Sequence, residues 1–204
     1  MTELEHLFVF GSVAVVTWLL VTYFWPRMLL YVYKRAILVK GFGDGPIPVN
    51  TFYTEPQKLF AEPLASQTAS SSNLMTVGVN HDTLVTVAWI DLSRGPLILH
   101  VPDMPGRYYS VQFTDPSKNT NFAYVGTRTT GTLAGDYLIT RASWRGVVPT
   151  GITRISSPNN SILVLGRVLV NNDSDVAIAY GLAKQIQLTL IERLVVRRGP
   201  GAQI

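Results

Sequence analysis

Hydrophobic and polar positions divide this chain into three stretches. From Leu7 to Pro26 no residue is charged, and the run LFVFGSVAVVTWLLVTYFWP has no polar face. An α-helix needs about 20 such residues to cross a bilayer, so the run predicts a transmembrane helix. From Leu74 to about Val170, short runs rich in β-branched and aromatic residues alternate with turn signals, which predicts strands. After Asp173 the period changes. Val176, Ala179, Ala183, Ile186 and Leu190 recur at helical spacing, which predicts a helix from about Ser174 to Leu190 with Asp173 or Ser174 as its cap.

The strand-like runs are Leu84–Leu92, Leu97–Val101, Arg107–Phe113, Asp136–Thr140, Ile152–Ile155 and Ile162–Val170. Gly, Pro, Asn and Asp punctuate them at Ser93–Pro96, Pro102–Gly106, Asp115–Asn119 and Pro158–Asn160. Short strands at this spacing predict a mainly β fold, a sandwich or barrel. Between the apolar run and the strands, residues 41–73 open with GFGDGPIPVN and end in Ser-rich sequence, the composition of a connector. The expected organisation is therefore a transmembrane helix with a basic flank (1–40), a connector (41–73), a β-sandwich with a terminal helix (74–194) and a basic tail (195–204).

A cleaved signal peptide wants a basic start and small residues at its cut site. Here the start is Met-Thr-Glu-Leu-Glu-His and the run ends in Tyr23-Phe24-Trp25-Pro26, so the helix reads as a retained anchor. Trp18, Tyr23, Phe24, Trp25, Tyr31 and Tyr33 cluster toward one end, as in an interfacial aromatic belt. Arg27, Lys34, Arg35 and Lys40 follow, and Met28–Val39 reads as a continuation of the helix into the headgroup layer. The positive-inside rule places this flank in the cytoplasm. Gly11, Ser12 and Ala14 form a small-residue patch suited to close helix packing, or to a plain anchor without helix partners.

Charge changes the picture only by its distribution. The net charge of +4 divides into +2 over residues 1–40, −1 over 41–192 and +3 over 193–204. A nucleic-acid binder wants a basic face on its folded part, so that class is set aside and membrane lipid becomes the expected partner. The chain has no cysteine, which removes disulfides and thiolate chemistry. His81-Asp82 and His100-x-x-Asp103 match no common zinc spacing, so neither a metal nor a cofactor is expected.

Candidate chemistry is sparse. Asn80, Asp82 and Thr83 precede a strand and read as a turn or as a polar rim. Asp91 lies within a strand and reads as a buried acid paired with Arg107 or Arg128. Arg107-Tyr108-Tyr109 offers one cation and two amphipathic rings, for ligand stacking or for ordinary packing. Arg128 sits in a Gly- and Thr-rich loop that lacks the following helix of a phosphate site. No nucleophile elbow or zinc helix occurs.

Several blocks in one order also carry a resemblance. They are Asn80–Leu84, Ala88–Pro96, Val101–Tyr109, Gln112-x-x-Asp115, Gly126–Gly131, Ala134–Ile139 and Val164–Val168. In these the chain resembles the bacterial family known as domain of unknown function 1254, from about Asn50 to Leu190. The resemblance implies an immunoglobulin-like β-sandwich, in a short membrane-anchored form that lacks the second, jelly-roll domain of longer members. It implies no catalytic residues, and it suggests export, against the charge rule. Val85 stands where a tyrosine commonly follows Asp-Thr-Leu. Two functional readings follow. One is a non-catalytic accessory subunit of a larger membrane complex. The other is a membrane-tethered binding domain or enzyme for an apolar molecule, with a pocket lined by Trp89, Tyr108, Tyr109 and Trp144.

Overall fold

The computed structural model describes residues 2–41, 45–54 and 82–191. Its first element is α1 (Glu3–Lys40), 38 residues in one helix. At 1.5 Å per residue that is about 57 Å, well beyond the apolar run alone. It is long and apolar enough to cross a membrane. Pro26 lies inside it. A proline there removes one helical donor, yet the helix continues with side chains bonded to its carbonyls. The Thr22 hydroxyl donates to Trp18 O at 2.9 Å, and the Arg27 guanidinium donates to Tyr23 O at 2.6 Å while stacking 3.7 Å from the Tyr23 ring.

Nine strands in two sheets follow among the described residues: β1 (Phe52–Thr54), β2 (Thr83–Asp91), β3 (Leu97–Val101), β4 (Tyr109–Asp115), β5 (Thr120–Gly126), β6 (Gly135–Arg141), β7 (Thr153–Ser157), β8 (Ser161–Leu169) and β9 (Gln187–Leu190). The first sheet has the order β1-β2-β8-β4-β5 and the second β7-β6-β3-β9. All pairs are antiparallel except β6–β7. The expectation of a mainly β fold with a helix at each end therefore holds.

Alternation decides which side chains meet between the sheets. Along β8 the buried residues are Ile162, Val164, Gly166 and Val168. With Leu84, Ala88 and Ile90 of β2 and Val111 and Phe113 of β4, the three apolar residues of that set pack onto Leu97, Leu99 and Val101 of β3 and Ile139 of β6. Apolar burial of this kind stabilises by about 25 cal/mol per Å² removed from water. The β2–β8 ladder runs unbroken from Thr83↔Leu169 to Asp91↔Ser161. Within it Gly166 faces Thr86, whose hydroxyl would lie 2.2 Å from an added Cβ, so the position admits only glycine at this spacing.

The C-terminal helix differs from expectation. The Asn172 side chain, not that of Asp173 or Ser174, caps the turn, accepting from Asp175 N at 3.1 Å. A 3-10 turn (Asp173–Asp175) leads into α2 (Val176–Gln185), which stops five residues early. Ile186 is extended, and Gln187–Leu190 becomes β9 against β3. Ile186, Leu188 and Leu190 alternate at period two as well as fitting the helical period, and the open edge of β3 selects the strand. The stretch expected as a connector likewise contributes β1, paired with β2 from Phe52↔Ala88 to Thr54↔Thr86. Residues 55–81 and 192–204, with Asn80, His81 and the tail, lie outside the described residues.

Arg107 and Asp175 close the end of the sandwich where β4 starts and β8 finishes. The guanidinium donates to both carboxylate oxygens at 2.6 Å and to Leu169 O. Asn171 N also donates to the carboxylate, at 2.9 Å. The hydrogen bonds from Arg107 hold the Asp175 carboxyl down at about 2, against the opposing push of burial. The same bond raises Arg107. A carboxyl whose folded pKa is depressed adds stability that is complete above its unfolded value, 3.8, and is lost as pH falls through about 2. Asp175→Asn should therefore destabilise the protein by about 3 kcal/mol at neutral pH, since it strands a buried cation. It should also flatten the loss of stability over that acid window. Urea unfolding across a pH series checks both outcomes.

Candidate functional site

The best-built feature near the candidate residues is where α1 meets the first sheet. Odd positions of β2 face away from the sandwich core, and there Trp89 is 2 % exposed. Its cover is Ile37 of α1 and Ile47, with Tyr33, Leu38, Tyr53 and Leu163 packed around them. The ring needs a hydrogen-bond partner once buried, and Trp89 Nε1 donates to Ser161 Oγ at 2.7 Å. Lys34 Nζ donates to the same oxygen at 3.1 Å and lies 5.3 Å over the indole, a cation–π contact. Asn50 pins the segment returning from the helix. Its side chain bridges the backbone of Asp91, accepting from N at 2.8 Å and donating to O at 3.2 Å. Trp89 is thus a socket for the end of α1 rather than a ligand platform.

The four aromatics expected to share a pocket are dispersed. Tyr109 is wholly buried in the core and donates to Gly131 O at 3.1 Å, with its phenol pushed up by burial. Tyr108 stacks under the exposed Arg128, 5.5 Å away. Trp144 follows β6 at the opposite end of the sandwich and stacks under Arg154 at 5.3 Å. Strand alternation sends neighbouring tyrosines to opposite faces, which separates 108 from 109.

Asp91 is a second correction. It is half-buried, and its carboxylate accepts from Ser93 N at 2.9 Å in a local turn, with no arginine on it among the described residues. Arg107 is taken by Asp175 instead. Asp82 is exposed, and its carbonyl accepts from Val170 N at 2.7 Å, a strand-end bond. His100 pairs not with Asp103 but with Asp136 across the β3–β6 ladder, at 2.7 Å on the surface. Among the described residues no group of three or more His, Cys, Asp or Glu is placed to hold a metal.

On α1, Gly11 and Ser12 line a shallow groove with Leu7, Phe8, Val15 and Val16, while Ala14 lies outside it. Nothing lies within 4 Å of a Cβ added at Gly11. A further cleft of about 480 Å³ lies between β1, α2 and β9. Phe52, Tyr53, Tyr180, Ile186 and Leu188 give its apolar wall; Asn50, Lys184 and Gln187 are among its polar groups. Lys184 Nζ sits 5.2 Å over the Tyr180 ring. Sequence reasoning missed this cleft, because half its wall comes from the Gly- and Pro-rich stretch and half from a segment read as helix. The i, i+4 spacing of Tyr180 and Lys184 was its one visible sign.

Fold and candidate site together define a two-sheet β protein joined to a long apolar helix, without a recognisable catalytic constellation among the described residues. Residues 62–190 match the family model described as "Protein of unknown function (DUF1254)", and the chain belongs to that family. Among solved structures it is similar to the VPA0106 protein from Vibrio parahaemolyticus, with a TM-score of 0.62 and 23 % identity. That match covers 89 % of this chain but 40 % of the other, and it shows the fold alone. An uncharacterized protein from Burkholderia cenocepacia aligns at a TM-score of 0.29 and 8 % identity, over 52 % of this chain and 38 % of its own. No curated protein matches.

The socket makes a prediction about where the chain can be cut. Removing residues 1–26 keeps the helical end that covers Trp89, and the product should stay folded with blue-shifted tryptophan emission. Removing residues 1–40 bares Trp89, Tyr53 and Leu163, and that product should aggregate and melt earlier. Equal melting curves for the two fragments would show that α1 adds nothing to the sandwich.

Proposed function

We propose that this protein is a non-catalytic, membrane-anchored accessory subunit, in which α1 crosses the bilayer and packs beside helices of a larger assembly. The observation that carries this reading is the buried junction of Ile37, Ile47 and Trp89. A helix that served only to localise a domain could join it through a loose linker. Here the helix end is built into the sandwich, which suits a protein that must hold its domain in one orientation. The groove at Gly11 and Ser12 supports close helix approach, and small residues at such positions let backbones pack in lipid. With Gly11→Leu the groove fills. Co-purification of partner subunits from native membranes in mild detergent should then fall, with the melting temperature of the sandwich unchanged. Wild type and variant that both migrate alone would defeat the assembly reading.

The cleft between β1, α2 and β9 favours a second reading, a binding site for an apolar molecule with a polar end. Its volume is within the range of small-molecule sites, and it combines aromatic walls with Lys184 and Asn50. Native mass spectrometry of the detergent-purified protein should then show one bound small molecule, lost on Tyr180→Ala. A bare protein mass would remove this reading.

A further inference from the structure

The strand registers sort the loops of the sandwich into two ends. Asp91 opposes Ser161 and Thr114 opposes Leu163, so the turns after β2 and β4 share one end with the start of β8. Leu97 opposes Ile139, which brings the end of β6 and the loop beyond Arg141 to that same end. The Asn159 side chain ties it together, donating to Asp115 at 2.7 Å across two turns. Among the described residues, the exposed charged side chains of this end are Arg94, Lys118, Arg141 and Arg145, with the Arg154 guanidinium folded over Trp144 beside them. Its carboxylates are Asp91 and Asp115, both engaged by neutral donors. Among the described residues the opposite end carries Asp82, Asp103, Asp136 and Asp173, with Arg128 and, two residues inside it on β8, Arg167. The described part of the sandwich is therefore polarised along its strands.

Helix α1 leaves from the basic end. Lys34 touches Ser161, the first residue of β8, and the helix before it runs on with almost every side chain exposed. From Pro26, where the apolar run closes, to Lys34 the rise is about 12 Å. The headgroup layer occupies roughly 5–7 Å of that on each side of the hydrocarbon. The basic end then stands within about one Debye length of the surface at physiological salt, close enough for its cations to act.

We propose that this end of the sandwich is a seat for an anionic bilayer, with Arg94, Lys118, Arg141 and Arg145 facing the headgroups. The proposal rests on the reading that α1 crosses the membrane. Each cation adds about a five-fold preference for an anionic over a neutral surface. The acidic end is turned away by the same field. The seat sets the tilt of the domain, where the socket at Trp89 sets its attachment.

The chain has no cysteine, so one introduced thiol is a unique label site. Full-length protein carrying a fluorophore at Ser93→Cys, beside the seat, or at Thr129→Cys, at the far end, is placed in nanodiscs with headgroup-nitroxide lipid as quencher. One set of discs is phosphatidylcholine and the other an equimolar mixture with phosphatidylglycerol. The Ser93 label should be quenched strongly in the anionic discs and weakly in the neutral ones, and salt of about 1 M should abolish the difference. The Thr129 label should stay bright throughout. Changing the four cations to glutamine should bring the Ser93 label to its neutral-disc level. The salt arm decides the matter in the wild type even where that variant fails to fold. Equal quenching of the Ser93 label in both lipids overturns the seat while leaving the anchor intact. Protein that does not migrate with the discs overturns the anchor, and the seat with it. A Ser93 label shielded in discs made from native membrane but not in anionic lipid overturns the seat in favour of a protein partner.

Discussion

Burial of one indole organises this protein. Trp89 lies on the face of its sheet that points away from the sandwich core, where a large ring would ordinarily be left against water. Covering it takes three successive pieces of chain, all far from it in sequence: the end of α1, the turn through Ile47, and Tyr53 of β1. The ring's one donor is met by Ser161, and the same oxygen receives Lys34. The contact therefore fixes helix, returning segment and sheet in a single step. Without it α1 would lose this packing against the sheet, and β1 would keep only its ladder with β2 and the packing of Phe52 on the main core. It also explains why β2 is buried on both faces while its neighbour β8 alternates.

The opposite end is held by a different kind of force. Arg107 and Asp175 form a desolvated pair whose guanidinium also meets a strand carbonyl, joining the start of β4 to the turn before α2. A buried pair of this sort contributes little net stability compared with an apolar replacement, but it accepts only one geometry. The apolar socket supplies adhesion at one end of the molecule, and the ion pair supplies register at the other. In both, the polar atoms that bond do so to partners within the fold: Trp89 and Lys34 to Ser161, and Arg107 to Asp175 and Leu169.

Much of the architecture was legible in the sequence because it rests on local signals. Turn residues at Ser93–Pro96 and Pro158–Asn160 mark strand ends within a residue or two, and Leu97–Val101 is the strand β3 that its composition predicts. What was not legible depends on distant partners. The apolar spacing of Ile186 to Leu190 suits a helix and a strand alike, and only the edge of β3 chooses. Thr120–Gly126 has weak alternation and becomes β5 through pairing with β4. Arg107 meets Asp175 rather than Asp91 because the chain brings together ends 68 residues apart, which no spacing rule encodes. The shared pocket was not legible for the same reason: four aromatics chosen by type belong to four separate environments.

Continuity of α1 through Pro26 into the socket has a mechanical consequence. A transmembrane helix answers a thinner or thicker bilayer by changing its tilt. With a slack linker that change would end at the membrane boundary. If α1 crosses the bilayer as proposed, the socket would make helix and sandwich one arm, so that a few degrees of rotation in lipid would become on the order of several ångströms of travel at the far loops around Asp103 and Arg128. Under that proposal bilayer thickness would be written into the height and angle of the domain, making its outer end responsive to the lipid around α1.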